Sequence, residues 1–172
     1  MPLTPEHALL LRDSALRSYT LEQPVTQRVI EAIPADKGGF KMDEVGMTAL
    51  DLAWHIVGAE HRFQDFVVTG SFDLTTTSRP GQLDSPAALA RYYAGTAAAD
   101  RERVAALPGE ALVKVIDFRG LFKFPAVNFL QVGLNHSIHH RGQLTMYLRP
   151  MGAKVPAIYG ESYDSAKAKA GA

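Results

Sequence analysis

Cysteine is absent from the 172 residues, and with it go disulfides, thiolate metal ligands and a cysteine nucleophile. Any metal must therefore be held by nitrogen or oxygen. An excess of charge of one sign is also missing, because eighteen Lys and Arg balance eighteen Asp and Glu for a formal net charge of zero. Such a balance offers no electrostatic footprint for a phosphate backbone or an anionic lipid surface, so no nucleic-acid partner is expected. No apolar run approaches the ~20 residues of a membrane span, and the apolar stretch near the N-terminus is interrupted at Arg12. The expectation is a soluble, cytoplasmic protein with no membrane partner. What remains is ordinary globular composition, 47% hydrophobic and 21% charged. One domain is expected over residues 1–165, with 166–172 as a flexible tail. Six histidines are the main chemical resource.

Helix punctuation divides the chain. Thr4 and Pro5 read as N-cap and first helical residue of a segment running to about Ile33. Pro24 interrupts it, which predicts a kink or two shorter helices near Glu22. Pro34 and Gly38-Gly39 mark a loop to Gly46. Thr48 opens a second helix, with Asp51 three residues on as in a capping box, continuing to about Val68. The polar stretch from Ser71 to Asp84 is a connecting loop. Ser85 and Pro86 start a third helix that runs to Leu107 before Pro108-Gly109. Residues Ala111 to Phe124 read as an irregular or hairpin-like crossover with Arg119-Gly120 as a possible turn. A fourth helix then runs from about Pro125 to Arg149. Four long helices with one long crossover predict an all-α antiparallel four-helix bundle.

Within the fourth helix, His136 and His140 lie about 40° apart around the axis and one turn apart along it, so both imidazoles can reach one metal ion. His139, about 100° from His140, suits a supporting or interface position better than ligation. In the second helix His55 has Leu52, Gly58 and Ala59 as its neighbours on the same face, a setting that points it into the core. Both nitrogens of a core histidine need partners, and a metal supplies one. His61 and His7 read as surface residues, and Glu60 as solvated or paired between helices. Asp51, one turn before His55, can orient its free ring nitrogen, although a first-turn carboxylate favoured by the helix dipole is the simpler account. Arg141 reads as a structural salt bridge or dimer contact, and Gly142 as a site of close helix packing. Trp54, Phe63, Phe66, Phe129 and Tyr147 read as core aromatics. Tyr147 returns to the face of His140 and can also line a pocket. A histidine in an amphipathic helix is most often a hydrogen-bonded boundary residue, so spacing alone leaves a three-histidine site open beside that simpler account.

The string from His136 through His140-Arg-Gly-Gln143-Leu, followed by Tyr147-Leu-Arg, Gly152, Val155-Pro156 and Tyr159-Gly160, resembles the C-terminal motif of the DinB/YfiT-like superfamily. The segment Gly46-Met-Thr-Ala-Leu-Asp-Leu-Ala-Trp-His55-Ile, with Glu60 after it, is similar to that family's second-helix motif. The resemblance implies an up-down-down-up four-helix bundle, commonly a homodimer, and a divalent metal, zinc or nickel, held by His55, His136 and His140. Asp51, His139 and Tyr147 stand as candidates for supporting or pocket positions, and no catalytic residue is assigned.

Two functional expectations follow from the resemblance. One is a metal-dependent hydrolase or low-molecular-weight thiol transferase acting on a small molecule; having no cysteine, the chain would need its thiol as cosubstrate. The other is a noncatalytic stress-related or interaction module in which the metal is structural.

Overall fold

The computed structural model describes residues 2–72 and 78–171. Its element order is α1 (Pro5–Glu31), α2 (Ala49–Thr69), α3 (Pro86–Ala105), α4 (Gly109–Leu112), β1 (Val115–Phe118), β2 (Phe122–Pro125), α5 (Asn128–Leu148) and α6 (Tyr163–Ala170). The described residues are thus mostly helical with one small sheet. Side-chain caps set three of the long helices: Thr4, Thr48 and Ser85 accept hydrogen bonds from the backbone N–H groups of His7, Asp51 and Ala88. These bonds satisfy donors that a helix start leaves without partners. Gly70 closes α2 in the left-handed region, at φ 73°, where a residue without Cβ is least strained.

Pro24 does not divide α1, which continues as one helix from Pro5 to Glu31. Around it Gln23, Val25 and Thr26 are buried, so packing holds the turn that proline alone would open. Between α3 and α5, strands β1 and β2 pair antiparallel from Val115↔Pro125 to Phe118↔Phe122. Arg119 (φ 59°) and Gly120 (φ 73°) make the turn, and Asp117 Oδ1 accepts the Gly120 N–H at 2.7 Å. The expected hairpin-like crossover is therefore a real hairpin, so the chain is not purely α. The short helix α4 ahead of it had no sequence cue beyond Pro108. At the C-terminus, Ser162 and Ser165 form a capping box for α6, so residues expected in a flexible tail are helical as far as Ala170. The α2–α3 connection was expected to be a loop, and its residues 73–77 lie outside the described part.

The four long helices pack α1 on α3, α3 on α2, α2 on α5 and α5 on α1. Their apolar faces form two clusters. One gathers Ile30, Leu50, Ile56, Leu89, Leu144 and Leu148, and the other Tyr19, Phe66, Val104, Leu112, Phe129 and Leu130. Between them, on every long helix, lie buried polar residues: Gln23 and Thr26, Glu60, Asp100, Ser137 and Arg141. Gln23 Nε2 and Tyr93 Oη both donate to Glu60 Oε1, at 2.7 and 3.0 Å. Arg141, only 2% exposed, pairs with Glu22 at 2.6 Å and donates to Tyr159 Oη at 2.7 Å. That guanidinium fastens the C-terminal segment to α1 through charge-assisted bonds, in keeping with its reading as a structural salt bridge.

Candidate metal centre

His55 on α2 and His136 and His140 on α5 meet where the polar layer crosses the packed faces of these two helices. Among the described residues they form one group whose candidate ligand nitrogens all lie within 4.8 Å of one another. Ring centroids are 4.8 Å apart for His55–His136, 4.4 Å for His55–His140 and 4.3 Å for His136–His140. The close approach of α2 and α5 depends on Gly133, where a Cβ would come 2.7 Å from Phe63 Cβ and 2.8 Å from Tyr19 Oη. Only glycine lets the two backbones come near enough for imidazoles to converge one turn further along.

The nitrogen geometry suits a cation. His55 Nε2 and His140 Nε2 face each other at 3.2 Å, close to the ~3.3 Å between two ligands on one tetrahedral ion with bonds of about 2.0–2.1 Å. His140 Nδ1 lies 2.6 Å from Gln143 Oε1. An amide oxygen only accepts, so the proton sits on Nδ1 and the Nε2 lone pair points at His55. His136 Nδ1 is buried with no hydrogen-bond partner among the described residues, an arrangement that costs about 1–3 kcal/mol when left unsatisfied.

Burial favours the neutral form of His55 and His136. Burial pushes the His55 pKa down, helped by the positive potential of His140 and Arg62. Burial pushes His136 further, to about 4, with contributions from His140, His55, Arg62 and His139. Neutral imidazole is the ligating form.

The other sequence candidates fall out differently. His139 is exposed and meets the His140 ring edge-on at 4.8 Å. Tyr147 lines a cleft of about 350 Å3 with Met42, Met47, Leu52, His140 and Met146, so it is a pocket residue beside the cluster. Asp51 is not brought onto His55: its carboxylate takes the Thr48 hydroxyl at 2.7 Å and Arg79 Nε at 3.1 Å. Glu60, expected to be solvated or paired, is 2% exposed and paired between helices. His7 is exposed as expected, while His61 is half-exposed and bound to the buried Asp100 at 2.7 Å. Gly142 is not a packing contact, since a Cβ there meets nothing within 4 Å. Gln143 and Arg62 went unassigned in sequence; the i,i+3 spacing from His140 was the available cue for Gln143.

Comparison with known proteins gives the same frame. The DinB family model matches residues 11–170. The chain belongs to the DinB family. Among curated DinB relatives, it is 30% identical over 130 residues to YjoA of Bacillus subtilis strain 168, an uncharacterized protein, covering 74% of this chain and 82% of YjoA. It is 27% identical over 156 residues to YrdA of the same organism, also uncharacterized, covering 88% of this chain and 90% of YrdA. Among solved structures it is similar to the DinB-like YjoA, with TM-score 0.69 and 27% identity over 86% of this chain and 99% of that one. A DinB-like protein from Bacillus cereus ATCC 10987 superposes with TM-score 0.72 and 26% identity, covering 86% and 97%.

Proposed function

We propose that this DinB-family protein is a metal-dependent enzyme, a hydrolase or low-molecular-weight thiol transferase, in which His55, His136 and His140 hold one divalent cation, zinc or nickel. The observation that carries the reading is the convergence of three imidazoles, one with a buried nitrogen that has no hydrogen-bond partner among the described residues. When bound, a divalent ion in an all-histidine site with open positions supplies Lewis acidity toward a water molecule or a thiol cosubstrate. The chain's own residues do the rest. Gln143 fixes the tautomer of His140, burial above all, with smaller help from neighbouring positive charge, disfavours protonation of His55 and His136, and Met42, Met47, Met146 and Tyr147 offer a deformable apolar wall for a small substrate.

A purely structural metal in a noncatalytic interaction module finds less support, because α2 and α5 already pack closely at Gly133 and Phe63. The proposal includes an antiparallel up-down-down-up bundle for the four long helices. In support, α1 and α5 run from the Tyr19/Phe129 cluster toward the Ile30/Leu148 cluster, while α2 and α3 run the other way. It also includes a cytoplasmic homodimer; no helix among the described residues is long and apolar enough to cross a membrane.

The test is metal content by mass spectrometry on untagged protein, wild type beside His140→Ala. About one zinc or nickel per chain, lost in the variant, is expected. Screening hydrolysis and thiol-transfer substrates on the loaded protein then separates the two reactions. No metal in either protein after incubation with zinc or nickel would overturn the reading. A metal whose removal lowers the melting temperature, with no substrate turned over, would favour the structural module.

A further inference from the structure

The cleft beside the metal centre is made by a loop that folds back on α5. Residues 38–48 lead into α2 through two backbone bonds, from Ala49 N–H to Phe40 O at 2.8 Å and from Leu50 N–H to Gly38 O at 3.0 Å. The Phe40 ring meets Tyr147 edge-on at 6.0 Å, and Tyr147 Oη donates to Met47 O at 3.3 Å. Between these anchors Asp43 Oδ1 accepts the Val45 and Gly46 N–H groups and closes the bend. So held, the loop brings Met42 and Met47 to a cleft of about 350 Å3 that they share with Met146 of α5 and that reaches His140.

Two properties of the lining select what it can hold. The first is its apolar wall. Three of the chain's five methionines stand here, and they are 44%, 48% and 68% exposed, whereas Met151 is buried in the core. Apolar side chains gathered around a concave surface serve a ligand rather than the core, and unbranched thioethers adapt to bodies of differing shape. The second property is charge. Asp43 belongs to the lining, and no lysine or arginine does. Its Oδ1 is engaged only by backbone N–H groups, so the carboxylate keeps its negative charge at the rim. An incoming anion meets repulsion there with no cation in the lining to offset it.

We propose that this cleft takes uncharged, apolar small molecules and rejects anions, so that the substrate of the metal centre carries a neutral apolar body seated between the loop and α5. As a statement about substrate this rests on the metal-dependent reading above. As a statement about binding it needs no metal, because none of the groups that make the wall is a ligand except His140. The cleft is concave and of small-molecule size, which favours a small molecule over a second copy of the chain. Asp43 is the residue that sets the charge preference, and the three methionines set the apolar one.

The experiment titrates chelator-treated full-length protein with two fluorescent probes of similar shape, neutral N-phenylnaphthylamine and its charged counterpart anilinonaphthalene sulfonate. At low ionic strength, where exposed charges are least screened, the neutral probe is expected to bind saturably and about tenfold or more tighter than the sulfonate. Asp43→Asn keeps the Oδ1 acceptor that bends the loop and removes the charge, so it should narrow that ratio by about threefold or more. Met146→Lys, a change at an exposed position of α5, should bring the sulfonate to parity or beyond. Val45→Ser, on the same loop but not in the lining, should bind both probes as wild type does. Equal affinities in wild type, no saturable signal from the neutral probe, or a ratio that neither Asp43→Asn nor Met146→Lys moves overturns the proposal. Neutral-probe affinity that falls as light scattering shows copies associating also overturns it, because a second chain then covers the cleft. Zinc uptake is measured on separate samples, so failure of the apolar site and failure of the metal reading are told apart.

Discussion

Gln143 and His140, three residues apart on α5, are joined by a 2.6 Å contact between Oε1 and Nδ1, and this contact decides which nitrogen of the ring faces His55. Removing the acceptor frees the tautomer and the ring torsion. Gln143→Leu should weaken zinc binding about 10- to 100-fold, the usual cost of losing a hydrogen bond behind a ligating histidine. Gln143→Glu, which keeps an acceptor, should stay near wild type. Competition with a colorimetric chelator measures both, and equal affinity of Gln143→Leu and wild type would remove Gln143 from the site.

A contrast between two glycines of α5 tests the packing that brings the histidines together. Gly133→Ala forces a methyl to 2.7 Å from Phe63 Cβ and should destabilise the fold by about 1–3 kcal/mol, as overpacking does. Gly142→Ala meets open space and should stabilise by about 0.5–1 kcal/mol through helix propensity. Urea denaturation gives both numbers on one scale.

The buried Glu60 concentrates polar bonds from neighbouring helices. Burial pushes its pKa up, opposed by the hydrogen-bonding groups of Ser137, Gln23 and Tyr93 around it. Glu60→Ala leaves the Gln23 amide and the Tyr93 hydroxyl without their acceptor and should cost about 2–4 kcal/mol. Glu60→Gln retains an acceptor and should cost less than half as much. Thermal melts of the two variants, followed by circular dichroism, test that order.

His61 gives the molecule a pH dependence whose sign is fixed. Its pKa is raised above 6.5, first by the hydrogen bond to Asp100 and then by the negative charges of Asp100 and Asp65. The folded state therefore holds the proton more tightly than the unfolded chain. The resulting stabilisation is complete below 6.5 and is lost as pH rises through the folded-state value. His61→Gln should flatten this part of the curve. Denaturation midpoints for wild type and variant from about pH 6 to about pH 9 make the comparison; parallel curves would mean that the Asp100 contact carries no proton linkage.

Much of this architecture could be read from caps and spacing. Thr4, Thr48 and Ser85 announce their helices because their side chains bond to the very backbone donors that a helix start exposes. His136 and His140 share a face because four residues nearly complete a turn. Arg119-Gly120 marks the hairpin because two adjacent positive φ angles are needed there. What local sequence did not record is where each helix meets another. Pro24 looked like a break, yet its neighbours are buried and the helix persists. Gly142 looked like a contact and is exposed, whereas Gly133, which nothing in the sequence marked, carries the close approach. The charged Glu60 gave no hint that Gln23 and Tyr93, 37 and 33 residues away, would enclose it.

The polar layer between the two apolar clusters also fixes how the helices are set along their length. Two hydrocarbon faces alone would tolerate a slip by one turn, about 5.4 Å, because one leucine exchanges for another. Here such a slip would carry the Glu60 carboxylate away from the Gln23 amide and into hydrocarbon, and would tear Arg141 from Glu22. The observed alignment keeps Glu60 with Gln23 and Arg141 with Glu22. His55 lies five residues before Glu60, and His136 and His140 flank Ser137 and Arg141. The same ruler that aligns the helices therefore sets the spacing of the three imidazoles.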